Sequence, residues 1–199
     1  MTDLQIKRFS LFVFFLFFAV MVVFSALAQT FGSTTLAHLS TMVSHGFQRS
    51  LFSALLFSHS PLLRAGGIFL NNLKVLAVVL AAAGLLRVKN RGARFVGYIG
   101  LSLFVGLLIV NAVVGGLVVT AIARAHHAAW PLVMLAGILP HGVFEIGAYA
   151  FGIGLAVAAS RPAGVRSRVL YHTLLPVFLL LLAALVESFV TPLLLGLVT

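Results

Sequence analysis

From Phe9 to Ala28 the sequence runs for 20 residues without one charged side chain. At a helical rise of about 1.5 Å per residue, about 20 residues cross a hydrocarbon core of about 30 Å. Four more predominantly apolar runs follow, over about 66–86, 95–121, within 130–159, and 174–198. They are continuous rather than alternating, which points to helices and not a barrel, because every backbone group in lipid has to be paired within its own segment. Composition agrees. Of the 199 residues 62% are hydrophobic and 8% charged, too few polar groups to cover a water-facing surface. The expected fold is all-α, a polytopic transmembrane helix bundle forming a single membrane domain over 1–199. Its spans are about 9–28, 66–86, 95–121, 140–160 and 174–198.

Two segments need separate reading. Lys7, Arg8, the apolar run and Ala26-Leu27-Ala28 imitate a secretory signal, but the run exceeds the usual h-region of about 7–15 residues, so it is read as a span. Segment 31–64 holds Gly32, His38, His45, Gly46, Gln48, Arg49, His59 and Pro61 between apolar stretches. It is too polar for a span and too apolar for a free loop, which suggests an interfacial or re-entrant helical element. Residues 130–159 overshoot the core if wholly helical. Pro140 divides them, leaving either a half-helix over 130–138 before the true fourth span or one tilted, kinked helix.

The net charge is +10, and its distribution excludes a nucleic-acid surface: the basic residues cluster beside apolar runs and form no stripe. With five spans, Lys7, Arg8, Arg87, Lys89, Arg91, Arg94, Arg161, Arg166 and Arg168 fall on one side of the membrane. Arg49, Arg64 and Arg124 fall on the other. The excess of Lys and Arg marks the cytoplasmic side, which sets the N-terminus inside and the C-terminus outside in a multi-pass cell-membrane protein.

Acidic residues number three, and two of them, Glu145 and Glu187, lie inside apolar runs. A charge in mid-bilayer costs on the order of 2.5–3.5 kcal/mol, so neither should face lipid. Counting from the expected span ends places Asn71, Asn72, Lys74, Asn111, His141, Glu145, Glu187 and Thr191 at a similar level, in the outer half of the membrane. His141 and Glu145 share a helix face at i, i+4, as do Glu187 and Thr191. The expectation is one intramembrane polar cluster in which Lys74 offsets Glu145 or Glu187. It acts either as a clasp between helices or as a binding site open to the outside. Gly97, Gly100, Gly106, Gly115 and Gly116 in span three, and Gly147, Gly152 and Gly154 in span four, allow backbones to approach closely.

Several chemistries are excluded by inventory. There is no cysteine, hence no disulfide, thiolate site or cysteine nucleophile. The paired-histidine zinc-protease helix motif is absent. The sole aspartate, Asp3, precedes the first span, so no Asp-dependent triad can form. Ser102 and His141 lie at different depths, which separates nucleophile from base. His141, Glu145 and Glu187 have the donor types for a metal, but a nearby Lys74 would oppose a cation. No catalytic residue, resident metal or cofactor is therefore expected. His126 and His127 are read as interfacial residues of the short loop before Trp130, His38, His45 and His59 as polar contacts of the outer element, and His172 as an inner-end residue.

The segment Leu139-Pro140-His141-Gly142-Val143-Phe144-Glu145 resembles the stage II sporulation protein M family. Three further stretches agree in order: Ile68-Phe69-Leu70-Asn71-Asn72-Leu73-Lys74, Val110-Asn111 followed by Gly115-Gly116, and Ala183 to Pro192 with its A-x-x-E-x-x-x-T-P pattern. The resemblance covers about 65–195 and implies a five-span membrane fold. In spore formers the family is associated with a septal machine that anchors wall-degrading enzymes, and many relatives belong to organisms that do not sporulate. The leading expectation is a non-enzymatic scaffold or assembly subunit, with the lipid bilayer, a second copy or a membrane or extracytoplasmic protein as partners and no nucleic acid. A small transporter or lipid-handling protein comes second, and an intramembrane metal-dependent hydrolase third.

Overall fold

The computed structural model describes residues 3–30, 38, 58–159 and 169–199, and among them there are helices and no strand. Helix α1 spans Asp3–Ala28, α2 Pro61–Arg87, α3 Arg91–Ala125, α4 Trp130–Gly137, α5 Leu139–Ala159 and α6 Val169–Leu185; a π-helical turn at Val186–Val190 then leads into α7, Thr191–Val198. Four stretches are long and apolar enough to cross a membrane: Ser10–Ala28, Pro61–Arg87, Arg91–Ala125 and Leu174–Val198. Helices α4 and α5 meet at a bend of 60° and qualify together, which gives a fifth crossing if the pair is one span.

Local chemistry explains the boundaries. Helix α2 begins with proline in its first turn, where the missing N–H costs nothing. The second span accordingly starts at Pro61 rather than near 66, and Arg64, expected in the outer element, belongs to its first turn. The rest of that expected element, apart from His38 and residues 58–60, lies outside the described residues. Helix α3 is capped by Asn90, whose side chain accepts from Gly92 N at 2.8 Å and Ala93 N at 3.3 Å. At 35 residues it is longer than the core it crosses, and its arginines lie near the two ends, where long side chains reach the interface. It ends at a turn in which His127 takes a left-handed φ of 54°.

The α4–α5 break falls at Ile138, two residues before Pro140. Proline removes the donor for the carbonyl four residues back and clashes with it. The result is a sharp division, which fits a half-helix before the fourth span and one tilted, kinked span alike.

Helix α5 packs against α1, α2 and α6, and α2 also packs against α3. Between them lie Leu76, Val79, Phe104, Leu108, Ile146, Tyr149, Ile153 and Leu180, with Phe104 and Tyr149 edge-on at 5.7 Å. Phe14, Phe17 and Phe18 of α1 close one side. The outward positions are apolar too: Phe12, Phe15, Leu103, Leu193 and Leu197 are exposed. With no water-driven force between helices in lipid, association rests on close packing and interhelical hydrogen bonds.

The α1–α3 seam shows both. Ser25 Oγ donates to Gly116 O at 3.0 Å, and Thr120 Oγ1 lies 3.0 Å from Ser25 O. Arg124 closes the far end, donating to the carbonyls of Ala28 and Gln29. A Cβ on Gly116 would stand 2.6 Å from Met21 O and 2.9 Å from Ser25 N. Only glycine lets the two backbones approach this far.

Candidate functional site

Three helix irregularities meet in the half of the bundle that holds the start of α2. The first is the break before Pro140, which makes His141 a first-turn residue of α5 and puts Glu145 one turn further on. The second is the π-helical turn, which contains Glu187 and ends beside Thr191. Such single-turn insertions add one residue to a helix and concentrate at functional sites. The third is the first turn of α2, which supplies Arg64.

The π turn has a visible cause and a visible answer. The Thr191 N–H reaches back to Val186 O, five residues away. Pro192 has no N–H, so the carbonyl of Ser188, four residues before it, is denied its ordinary helical donor. Arg64 supplies one: its guanidinium donates to Ser188 O at 2.8 Å. The same guanidinium is close enough for its charge to act on Glu187.

His141, Glu145 and Glu187 each direct a ligand-capable atom into a common space, with these atoms all within 4.8 Å of one another. All three side chains are partly buried. His141 Nδ1 lies 3.2 Å from Thr191 Oγ1, and Glu145 accepts a side-chain hydrogen bond from Tyr149 one turn along α5. The two carboxyl groups are close enough for each to act on the other. Chemically, this is an imidazole and two carboxylates able to hold a proton or a cation between them.

The polar residues singled out in the sequence therefore divide. His141, Glu145, Glu187 and Thr191 come together, and Asn72 is buried on the packed face of α2. Lys74 stands apart: it is exposed and donates to Asn71 Oδ1 at 2.9 Å. It was expected to offset a carboxylate, but two residues on from Asn72 is about 200° round a 3.6-residue helix, so it leaves the opposite face. The cation that acts on Glu187 is Arg64. Asn111 is also exposed, one position off the buried stripe of Leu108, Ala112 and Gly116.

Sequence reasoning missed Arg64 and Tyr149. Both had signals: Pro61 marks a helix start that carries Arg64 inward, and Tyr149 continues the i, i+4 series from His141 through Glu145. Ser188 was not singled out either. Its hydroxyl is buried without a hydrogen-bond partner among the described residues.

Neither a curated protein nor a solved structure matches this chain. The sequence profile of one family, stage II sporulation protein M, matches residues 10–192. That range takes in the break at Pro140, both carboxylates and Thr191, together with the seam of α1 and α3. The chain belongs to the stage II sporulation protein M family of multi-pass membrane proteins.

Proposed function

We propose that the protein is a non-enzymatic membrane scaffold, an assembly subunit whose helices and short connections are the surfaces offered to partners. The observation that carries this reading is the disposition of mass. Nearly every described residue belongs to a membrane-length helix or to a short link between helices. The outward faces of α1, α3 and α7 present large apolar side chains such as Phe12, Phe15, Leu103 and Leu197, which suits lateral contact within the bilayer with a second copy or another membrane protein. Family membership supports the same reading. The excess of basic residues near the α2–α3 link and the first span supports an N-terminus in the cytoplasm and a C-terminus outside.

A second reading has its own support. Two interrupted helices converge on a cluster of ionisable groups, the arrangement transporters use to place irregular backbone beside a substrate. Reconstitution separates the two. Purified protein in sealed vesicles should show no proton or cation flux above empty vesicles, and crosslinks installed at Leu103 or Leu197 in native membranes should report a defined neighbour. A flux abolished by Glu145→Gln would replace the scaffold with the transporter.

A further inference from the structure

We propose that His141, Glu145 and Glu187 bind one divalent transition-metal ion of the Zn2+ class, held between α5 and the π-helical turn. The site stands apart from the scaffold reading, since a scaffold and a transporter can each carry it.

The geometry is the main support. The three donor atoms lie within 4.8 Å of one another. A tetrahedral ion with bonds of about 2.0–2.2 Å to nitrogen and oxygen places its donors about 3.4 Å apart. Small turns of two glutamate side chains bridge that difference without moving a helix.

Each donor also leans on a further partner, as ligands in metal sites do. His141 meets Thr191 through Nδ1, which helps to fix the ring. Glu145 is held by Tyr149. Glu187 sits on the turn that Arg64 braces through Ser188 O. Thr191 follows Glu187 by four residues, and its N–H closes the widened turn on Val186 O.

Charge points the same way. Two carboxyl groups point into one space in a lipid-surrounded bundle, and among the described residues the guanidinium of Arg64 acts on Glu187.

The donor set selects among ions. Na+, Mg2+ and Ca2+ prefer shells built of oxygen, whereas an imidazole beside carboxylates suits Zn2+ and its first-row neighbours. Three protein donors leave one coordination position for water or an anion.

The test uses the full chain in lipid nanodiscs, stripped with chelator and then given Zn2+ or Co2+. The expected result is one metal per chain by elemental analysis, a tetrahedral Co2+ absorption band and a saturable rise in Tm. His141→Ala and Glu145→Gln should reduce uptake to background while keeping helical ellipticity and a monodisperse elution. Should Glu145→Gln fail to fold, His141→Gln provides the same loss without removing a carboxylate. The variant pair His126→Ala and His127→Ala should bind as the parent does. The proposal is overturned if the parent takes up no metal, or if uptake survives the cluster substitutions and is lost with His126 and His127.

Discussion

Two buried polar regions hold this bundle, and they are built on opposite principles. The α1–α3 seam uses neutral hydroxyls against backbone carbonyls, with Gly116 stripped of any side chain so that Ser25 and Thr120 can reach. Its charged residue, Arg124, sits at the end, on the last carbonyls of α1. The cluster between α2, α5 and the π turn uses ionisable groups and broken helices instead. Hydroxyl-to-carbonyl contacts across membrane helices are worth only about 0.6–2 kcal/mol each, and they gain their effect from close approach. Charges removed from water interact strongly but must be matched. The seam fixes where two helices lie. The cluster has a state that depends on what occupies it.

The largest expected effect tests that contrast on the cluster side. Arg64→Ala removes the donor to Ser188 O and the charge facing Glu187 at once. Removing a charged hydrogen-bond donor costs about 1.5–3 kcal/mol, and the Ser188 carbonyl left without a donor adds to that, so the Tm should fall further than for Gly116→Ala, Thr120→Val or Lys74→Met. Combining it with Glu187→Gln should restore part of the loss, because the uncompensated carboxylate is then gone. A double variant as unstable as the sum of the two singles would break the link between Arg64 and Glu187.

Next comes the seam. Gly116→Ala inserts a methyl group 2.6 Å from a backbone oxygen, which no side-chain rotation relieves. Overpacking of this kind costs about 1–3 kcal/mol, and α1 should loosen from α3, seen as new accessibility at Ser25→Cys to a membrane-permeant thiol reagent. Gly106→Ala is the internal comparison. Nothing lies within 4 Å of its added carbon, and stability should be unchanged or slightly raised. Equal behaviour of the two variants would remove close approach as the basis of the seam.

How far the sequence revealed each region follows from what each depends on. Span number depends on length and hydropathy, which can be read directly. The division at Pro140 is equally legible, since proline acts locally on its own helix. The grouping of His141 with Glu145, and of Glu187 with Thr191, follows from helical spacing within one segment. Lys74 went astray because depth along a helix does not fix the direction in which a side chain leaves it. The π turn is one added residue inside an apolar run, and Pro192 was its only trace. The seam was hidden for another reason: Ser25 and Thr120 are weakly polar and raise no alarm inside a hydrophobic window. Ser25 and Ala28 on α1 and Gly116, Thr120 and Ala123 on α3 do form small-residue series at helical spacing, but pairing those two series needs knowledge of which helices touch.

A smaller effect belongs to Thr120→Val. It keeps the shape and removes one hydroxyl that meets both Ser25 O and Gly116 O. About 0.6–1.7 kcal/mol is the range for such contacts in membranes. The loss should therefore be below that of Gly116→Ala, which places packing above hydrogen bonding in the seam. The reverse order, measured as Tm in the same nanodiscs, would make the hydroxyl the dominant element.

Lys74→Met should do least. Lys74 is exposed and meets Asn71 on its own helix, and substitutions at such positions usually stay within about 0.5 kcal/mol. The value of this variant lies in its contrast with Arg64→Ala, because both remove a cation from α2 and only one of them faces the carboxylates. If the cluster were neutralised through Lys74, the two substitutions would destabilise alike, and Lys74→Met would weaken Co2+ or Zn2+ binding or, by lifting repulsion, strengthen it. With Lys74 about 15 Å further along the helix than Arg64, metal uptake and Tm should both match the parent protein. A shift in either would return Lys74 to the cluster and undo the division of roles between the two cations of this helix.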